Sequence, residues 1–103
     1  MDRIEKLKEF LQAAPSDSFL QHALALEYIK VGNDAEAKKL FESVLEKDPG
    51  YVGSYYHLAK LLERSGETGT AIKTCENGML EAKRSGDQHA YNELQGLYED
   101  MTF

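Results

Sequence analysis

The sequence predicts an all-α protein made of antiparallel helix-turn-helix units stacked in series, about six helices in all, and three observations carry that expectation. Apolar residues recur at three- and four-residue intervals in successive windows and nowhere alternate as they would in a half-buried strand. Short turns rich in Gly, Asn and Asp separate those windows. The punctuation also has a period: Gly32 and Gly66 are 34 residues apart, as are Pro15 and Pro49.

The elements follow in order. Ile4, Leu7, Phe10 and Leu11 form the stripe of a first helix ending at Pro15, which reads as the second helix of a pair without its partner. Leu20, Ala23, Leu24 and Tyr28 mark the next helix. Asp17 or Ser18 caps it, Gln21 lies three residues after Ser18, and Gly32 supplies a left-handed stop. Asn33 or Asp34 then caps a helix with the stripe Ala37, Leu40, Phe41, Val44 and Leu45, which ends before Asp48, Pro49 and Gly50. So short a turn sets these two helices antiparallel.

The plan repeats. Tyr55, Leu58, Ala59 and Leu62 share one face of a helix that stops at Gly66. Thr68 is the expected cap of its partner, whose stripe is Ala71, Ile72, Cys75, Met79 and Ala82. Asp87 caps a last helix bearing Ala90, Tyr91, Leu94, Leu97, Tyr98 and Met101. Gly78, inside a helix, costs about 1 kcal/mol against Ala and is read as permitting close packing with a neighbour.

Composition narrows the function. A chain of 103 residues, 42% hydrophobic and 29% charged, suits one folded domain rather than a disordered segment. A net charge of −6 argues against nucleic acid as the main partner, since phosphates need a basic surface. No apolar run approaches the ~20 residues that span a bilayer, and Met1 leads into charged residues rather than a signal-peptide core. The expectation is a cytoplasmic protein with no membrane partner. Cys75 is the single cysteine, so no internal disulfide can form, and its place in a stripe marks it as a buried, inert thiol.

Overlaying residues 18–51 on 52–85 aligns Leu24 with Leu58, Ala25 with Ala59, Gly32 with Gly66 and Ala37 with Ala71. Leu7, Phe41 and Cys75 share one position, and Leu11, Leu45 and Met79 another. This pattern resembles the tetratricopeptide repeat, a 34-residue unit with W-x2-L-G-x2-Y, then A-x3-F, then P. The first unit has Gln21-x2-Leu24-Ala25-x2-Tyr28, Ala37-x3-Phe41 and Pro49. The second has Tyr55-x2-Leu58-Ala59-x2-Leu62 and Ala71-x3-Cys75, with Lys83 where Pro would fall, so its second helix is expected to run on to about Ser85. Gln21 departs from the large aromatic and Cys75 is small for its slot. The last helix echoes the motif as Tyr91-x2-Leu94-x3-Tyr98.

The resemblance implies a single domain over residues 1–103, folded as a short right-handed superhelix. Its parts are a half-repeat at 1–15, repeats at 18–51 and 52–85, and a capping helix at 87–103. Ile4, Leu7 and Leu11 at one end and Leu94, Leu97 and Tyr98 at the other are expected to cover the ends of the stack. It further implies a non-catalytic module that binds a peptide or helix of another protein in its concave face, with no cofactor. The family's groove positions map onto Phe19, His22, Leu26, Ile29 and Lys30, then Tyr56, Lys60, Glu63 and Arg64, with His89 and Asn92 as additions from the last helix. The alternative for these residues is a solvated face. One subset of the family clamps the C-terminal carboxylate of heat-shock chaperones with Lys and Asn; His22 and Leu26 stand at such positions here, which argues against that ligand.

Other constellations are weaker. His22, His57 and His89 are too widely spaced for a metal signature, and no phosphate loop or nucleophile elbow is present. Nothing assembles an acid, a base and a nucleophile, so an enzyme is not expected. The second function class is a self-association or assembly module, homo-oligomeric through the last helix around Leu94 and Leu97 or part of a longer array.

Overall fold

Four helices start on a side chain that takes the place of the missing backbone partner. Asp2, Asp17, Asn33 and Asp87 each accept a hydrogen bond from the backbone N–H three residues ahead, at 2.9–3.3 Å. The computed structural model describes residues 2–103, and among them lie six α-helices: α1 (Arg3–Ala13), α2 (Ser18–Lys30), α3 (Asp34–Lys47), α4 (Gly53–Arg64), α5 (Thr68–Ser85) and α6 (Gln88–Thr102). No strand occurs among the described residues. None of the helices is long and apolar enough to cross a membrane.

The stops are equally regular. Gly32 (φ +79°) and Gly66 (φ +86°) take the left-handed conformation expected of them, and Gly86 (φ +76°) does the same after α5. The N–H of Asn33 donates to Tyr28 O, that of Glu67 to Leu62 O and that of Asp87 to Ala82 O, each at 2.8 Å. This is the six-to-one bond that closes a helix on a left-handed residue. The start of α5 differs from expectation. Thr68 is already helical, the cap position is Glu67, and no side-chain bond is made there. The carboxylate of Glu67 instead accepts from the Ser65 hydroxyl at 2.8 Å.

Two compact units result: the described residues up to Asp48, holding α1–α3, and Pro49–Phe103, holding α4–α6. In the first unit α2 packs on both α1 and α3. Ala25, Ala37, Phe41 and Val44 are wholly buried, and Leu7 closes on Ala23 and Leu24 with Ile4, Leu11 and Tyr28 around them. Phe10, expected in the α1 stripe, is 52% exposed. Leu7 takes the packing against α2, and Phe10 lies outside that contact.

Gln21 shows how a polar residue replaces the family's aromatic. Its amide donates to Pro15 O at 3.1 Å and lies 3.4 Å from Ser43 Oγ, while its oxygen accepts from Lys47 Nζ. Thirty-four residues on, the Tyr55 hydroxyl donates to Pro49 O. The two prolines noticed in the sequence are thus the carbonyl acceptors of one repeated contact, made once by an amide and once by a phenol.

In the second unit α5 packs on both α4 and α6, and α4 also touches α6. Ala59, Ala71, Cys75 and Ala82 have no exposure. Gly78 lies so close to its neighbours that a Cβ added there would stand 2.7 Å from Tyr55 Cβ and 2.8 Å from Leu94 Cδ1. The close packing expected of this glycine is therefore present. Leu94 and Leu97 are 1% and 6% exposed, so the residues expected at a self-association surface belong to the interior of α4–α6. Leu94 meets α5 at Gly78.

Gly78 yields a prediction that helix propensity alone would get backwards. Ala favours a helix over Gly by about 1 kcal/mol, but inserting a methyl into a filled core typically costs about 1–3 kcal/mol. Gly78→Ala should therefore lower stability by roughly 1 kcal/mol in urea unfolding. Gly96→Ala in α6, where an added Cβ meets nothing within 4 Å, should raise it by about 0.5–1 kcal/mol.

Candidate functional site

The residues expected at the binding face lie on α2 and α4 at three- and four-residue spacing, so each set runs along one side of its helix. On α2, Phe19 is 67% exposed, while His22, Leu26 and Ile29 are half-buried. The His22 ring meets the edge of buried Phe41 with centroids 5.5 Å apart, which ties it to α3. Lys30 is exposed at the end of the row and its Nζ lies 3.2 Å from Glu27 Oε2. The same carboxylate receives Arg3 Nε at 3.3 Å, so Glu27 balances the cationic end of α2.

On α4, Tyr56, Lys60 and Glu63 are half-buried and Arg64 is exposed. The Lys60 ammonium stands 5.9 Å from the centroid of the Tyr56 ring, within the range of a cation–π contact. Tyr56 and Lys60 thus form one element, an aromatic face with a cation above it. His57 packs edge-on to Tyr56 at 5.7 Å and 84°. The additions expected from α6 are engaged locally: His89 lies 3.7 Å from Glu93, and Asn92 Oδ1 accepts from the Gln88 amide at 2.8 Å.

His57 and Cys75 are displaced from their ordinary range. Burial lowers the His57 pKa below 6.5; the Glu93 carboxylate pulls it back up in part, and the Lys60 ammonium pushes it further down. Burial raises the Cys75 thiol to about 11, with Glu63 and Glu76 adding to the effect. A thiol held protonated and without exposure is not a nucleophile, in keeping with the reading of Cys75 as an inert core residue. Among the described residues no three His, Cys, Asp or Glu side chains converge on a point where a metal ion could sit.

A cleft between α5 and α6 was not anticipated from the sequence. It has a volume of about 490 Å³ and is lined by Met79, Leu80 and Lys83 of α5 and by Tyr91, Gln95 and Tyr98 of α6, with Phe103 at its end. Leu80 is 63% and Phe103 98% exposed. The signal in the sequence is that Tyr91, Leu94 and Tyr98 repeat the motif of a first helix.

The profile of the tetratricopeptide repeat matches residues 28–96. No curated protein sequence matches the chain. Among solved structures, the crystal structure of a tetratricopeptide repeat domain protein from Salinibacter ruber superposes with a TM-score of 0.81 at 43% identity, covering 84% of this chain and 96% of that one. The solution structure of a protein from Bordetella parapertussis gives 0.84 at 24% identity, over 99% and 89% of the two chains. The TPR2B domain of yeast Sti1, in complex with pHsp70, gives 0.89 at 21% identity, over 96% and 79%.

His57 contributes a pH dependence to this unit. Its folded-state pKa lies below the unfolded 6.5, so the unfolded chain binds the extra proton first. The stability it permits is complete above 6.5 and is lost as the pH falls through 6.5 toward the folded-state value. The urea midpoint should therefore fall between about pH 7 and about pH 5, and His57→Gln should flatten that fall. Lys60→Ala should move the His57 titration, followed by proton NMR, to higher pH.

Proposed function

Since the chain belongs to the tetratricopeptide repeat family, we infer that it is a non-catalytic module that binds an extended or helical segment of another protein, with the α2 face as the candidate contact in one unit and the α4 face as the candidate contact in the other. The observation that carries this reading is the Tyr56–Lys60 pair, an aromatic ring and an ammonium presented together one helical turn apart. Phe19, Leu26 and Ile29 on α2 add apolar surface that a solvated face has no need of. Lys60 is the cation of the α4 row, beside Tyr56 and with Glu63 as its acid neighbour, whereas Lys30 on α2 is already paired with Glu27. The partner segment is thus one with apolar side chains and an acidic group.

The Sti1 domain with pHsp70 supports a protein segment as the class of ligand. The carboxylate clamp is not expected here, because Leu26 cannot donate the hydrogen bonds of an Asn and His22 is turned onto Phe41. We read the module as cytoplasmic, since a single buried thiol suits a reducing compartment. Self-association is the second reading, favoured by Phe10 at 52% exposure on α1. Sedimentation over a concentration series separates the two, a constant monomer favouring the adaptor.

With a partner segment in hand, calorimetry tests the face directly. Tyr56→Ala and Lys60→Ala should each weaken binding by about tenfold, the loss usual for a central aromatic or cationic anchor. Unchanged affinity in both variants would reject the assignment.

A further inference from the structure

On the α5/α6 cleft, α6 presents the positions that α4 presents to α5. On α4, the residues Tyr55, Leu58, Ala59 and Leu62 are 0–6% exposed in the unit where α5 packs on that helix. Aligning Leu94 with Leu58 places Tyr91, Gln95 and Tyr98 of α6 where α4 has Tyr55, Ala59 and Leu62. Those three α6 residues line the open cleft instead of a covered interface. The side of α5 facing it, Met79 and Leu80, is apolar as well. From Tyr91 to Phe103 the cleft floor follows α6 for about 18 Å, the length of roughly three helical turns.

Charge and shape say what fits. Glu76 and Glu99 stand at the cleft against one cation, Lys83, whose ammonium lies 5.9 Å from the Tyr91 ring centroid. The surroundings are those of a chain with a net charge of −6, so a second acidic copy is repelled and a basic segment attracted. Gln95 replaces the alanine that lets two helices touch in α4/α5, so an incoming helix needs a small residue opposite it. We propose that this cleft is a docking site, separate from the α2 and α4 faces, for a basic amphipathic helix of another protein with a small residue at its centre.

The test is an NMR titration of the isotope-labelled full chain with a synthetic helix of about four turns. The probe carries leucine and a central alanine on one face and lysine on the other, and its twin has glutamate for every lysine. Amide shifts should concentrate at Leu80, Tyr91, Gln95 and Tyr98, and the glutamate twin should bind at least about tenfold more weakly. Leu80→Ser, at an exposed position, should weaken the lysine probe by about tenfold, and Glu99→Gln by a few-fold. The proposal is overturned if the cleft amides stay still, if shifts gather only on Tyr56–Arg64, or if the two probes bind alike. It is also overturned if the cleft amides move with protein concentration alone, which would mean a second copy fills the site. Leu80→Ser leaves the Tyr56–Lys60 face intact, so failure here is distinguishable from failure of the binding face.

Discussion

Close approach of helix backbones at side chains that occupy almost no room is the constraint on which the structure depends. In α2 and α3 the wholly buried Ala25 and Ala37 permit it, and Ala59 and Ala71 do so in α4 and α5. Gly78 carries it furthest, because α5 is gripped there by Tyr55 on one side and Leu94 on the other with no space for a methyl group. Large residues then fill what remains: Phe41 in the first unit, Leu62 and Leu94 in the second, each with 2% exposure or less. The density of such a core is what makes the position of each helix definite.

The turns meet the same demand for definition. Left-handed Gly32 and Gly66 close their helices with identical bonds, so each chain reversal is short and of one shape. The Gln21–Pro15 and Tyr55–Pro49 hydrogen bonds then tie the first helix of each pair to the loop that leads into it. The geometry is conserved between the repeats while the chemistry changes from amide to phenol. A motif written in residue types therefore sees a departure at Gln21 where the structure has an equivalent.

Much of the fold was legible for a physical reason: helix stripes, left-handed glycines and the missing proline at Lys83 are local signals, and each acts on its own few residues. Gly32, Gly66, the caps at Asp17, Asn33 and Asp87 and the extension of α5 to Ser85 all belong to that class. What the sequence hid depends on neighbours. Phe10 sits in a good stripe, but how far a stripe is covered is decided by what packs on it. Thr68 is a good capping residue, yet Glu67 occupies the cap and its carboxylate is held by Ser65. The α5/α6 cleft is a property of two helices together, and so no single periodicity reveals it. The row of residues proposed for binding comes from the resemblance alone, whereas the pairing of Lys60 with Tyr56 and of His22 with Phe41 needed coordinates.

The proposed binding role asks for stiffness. A face made of Tyr56 and Lys60 holds its shape only if α4 cannot move independently of the helices behind it, and ordering such side chains before binding lowers the cost of association. The central claim is that α4, α5 and α6 are locked into one cooperative body through Gly78. Native-state hydrogen exchange tests it most directly. Protected amides at Leu58, Leu62, Cys75 and Leu94 should exchange through one opening event with a common free energy. Exchange of α6 at a much lower free energy, leaving α4 and α5 protected, would contradict the account.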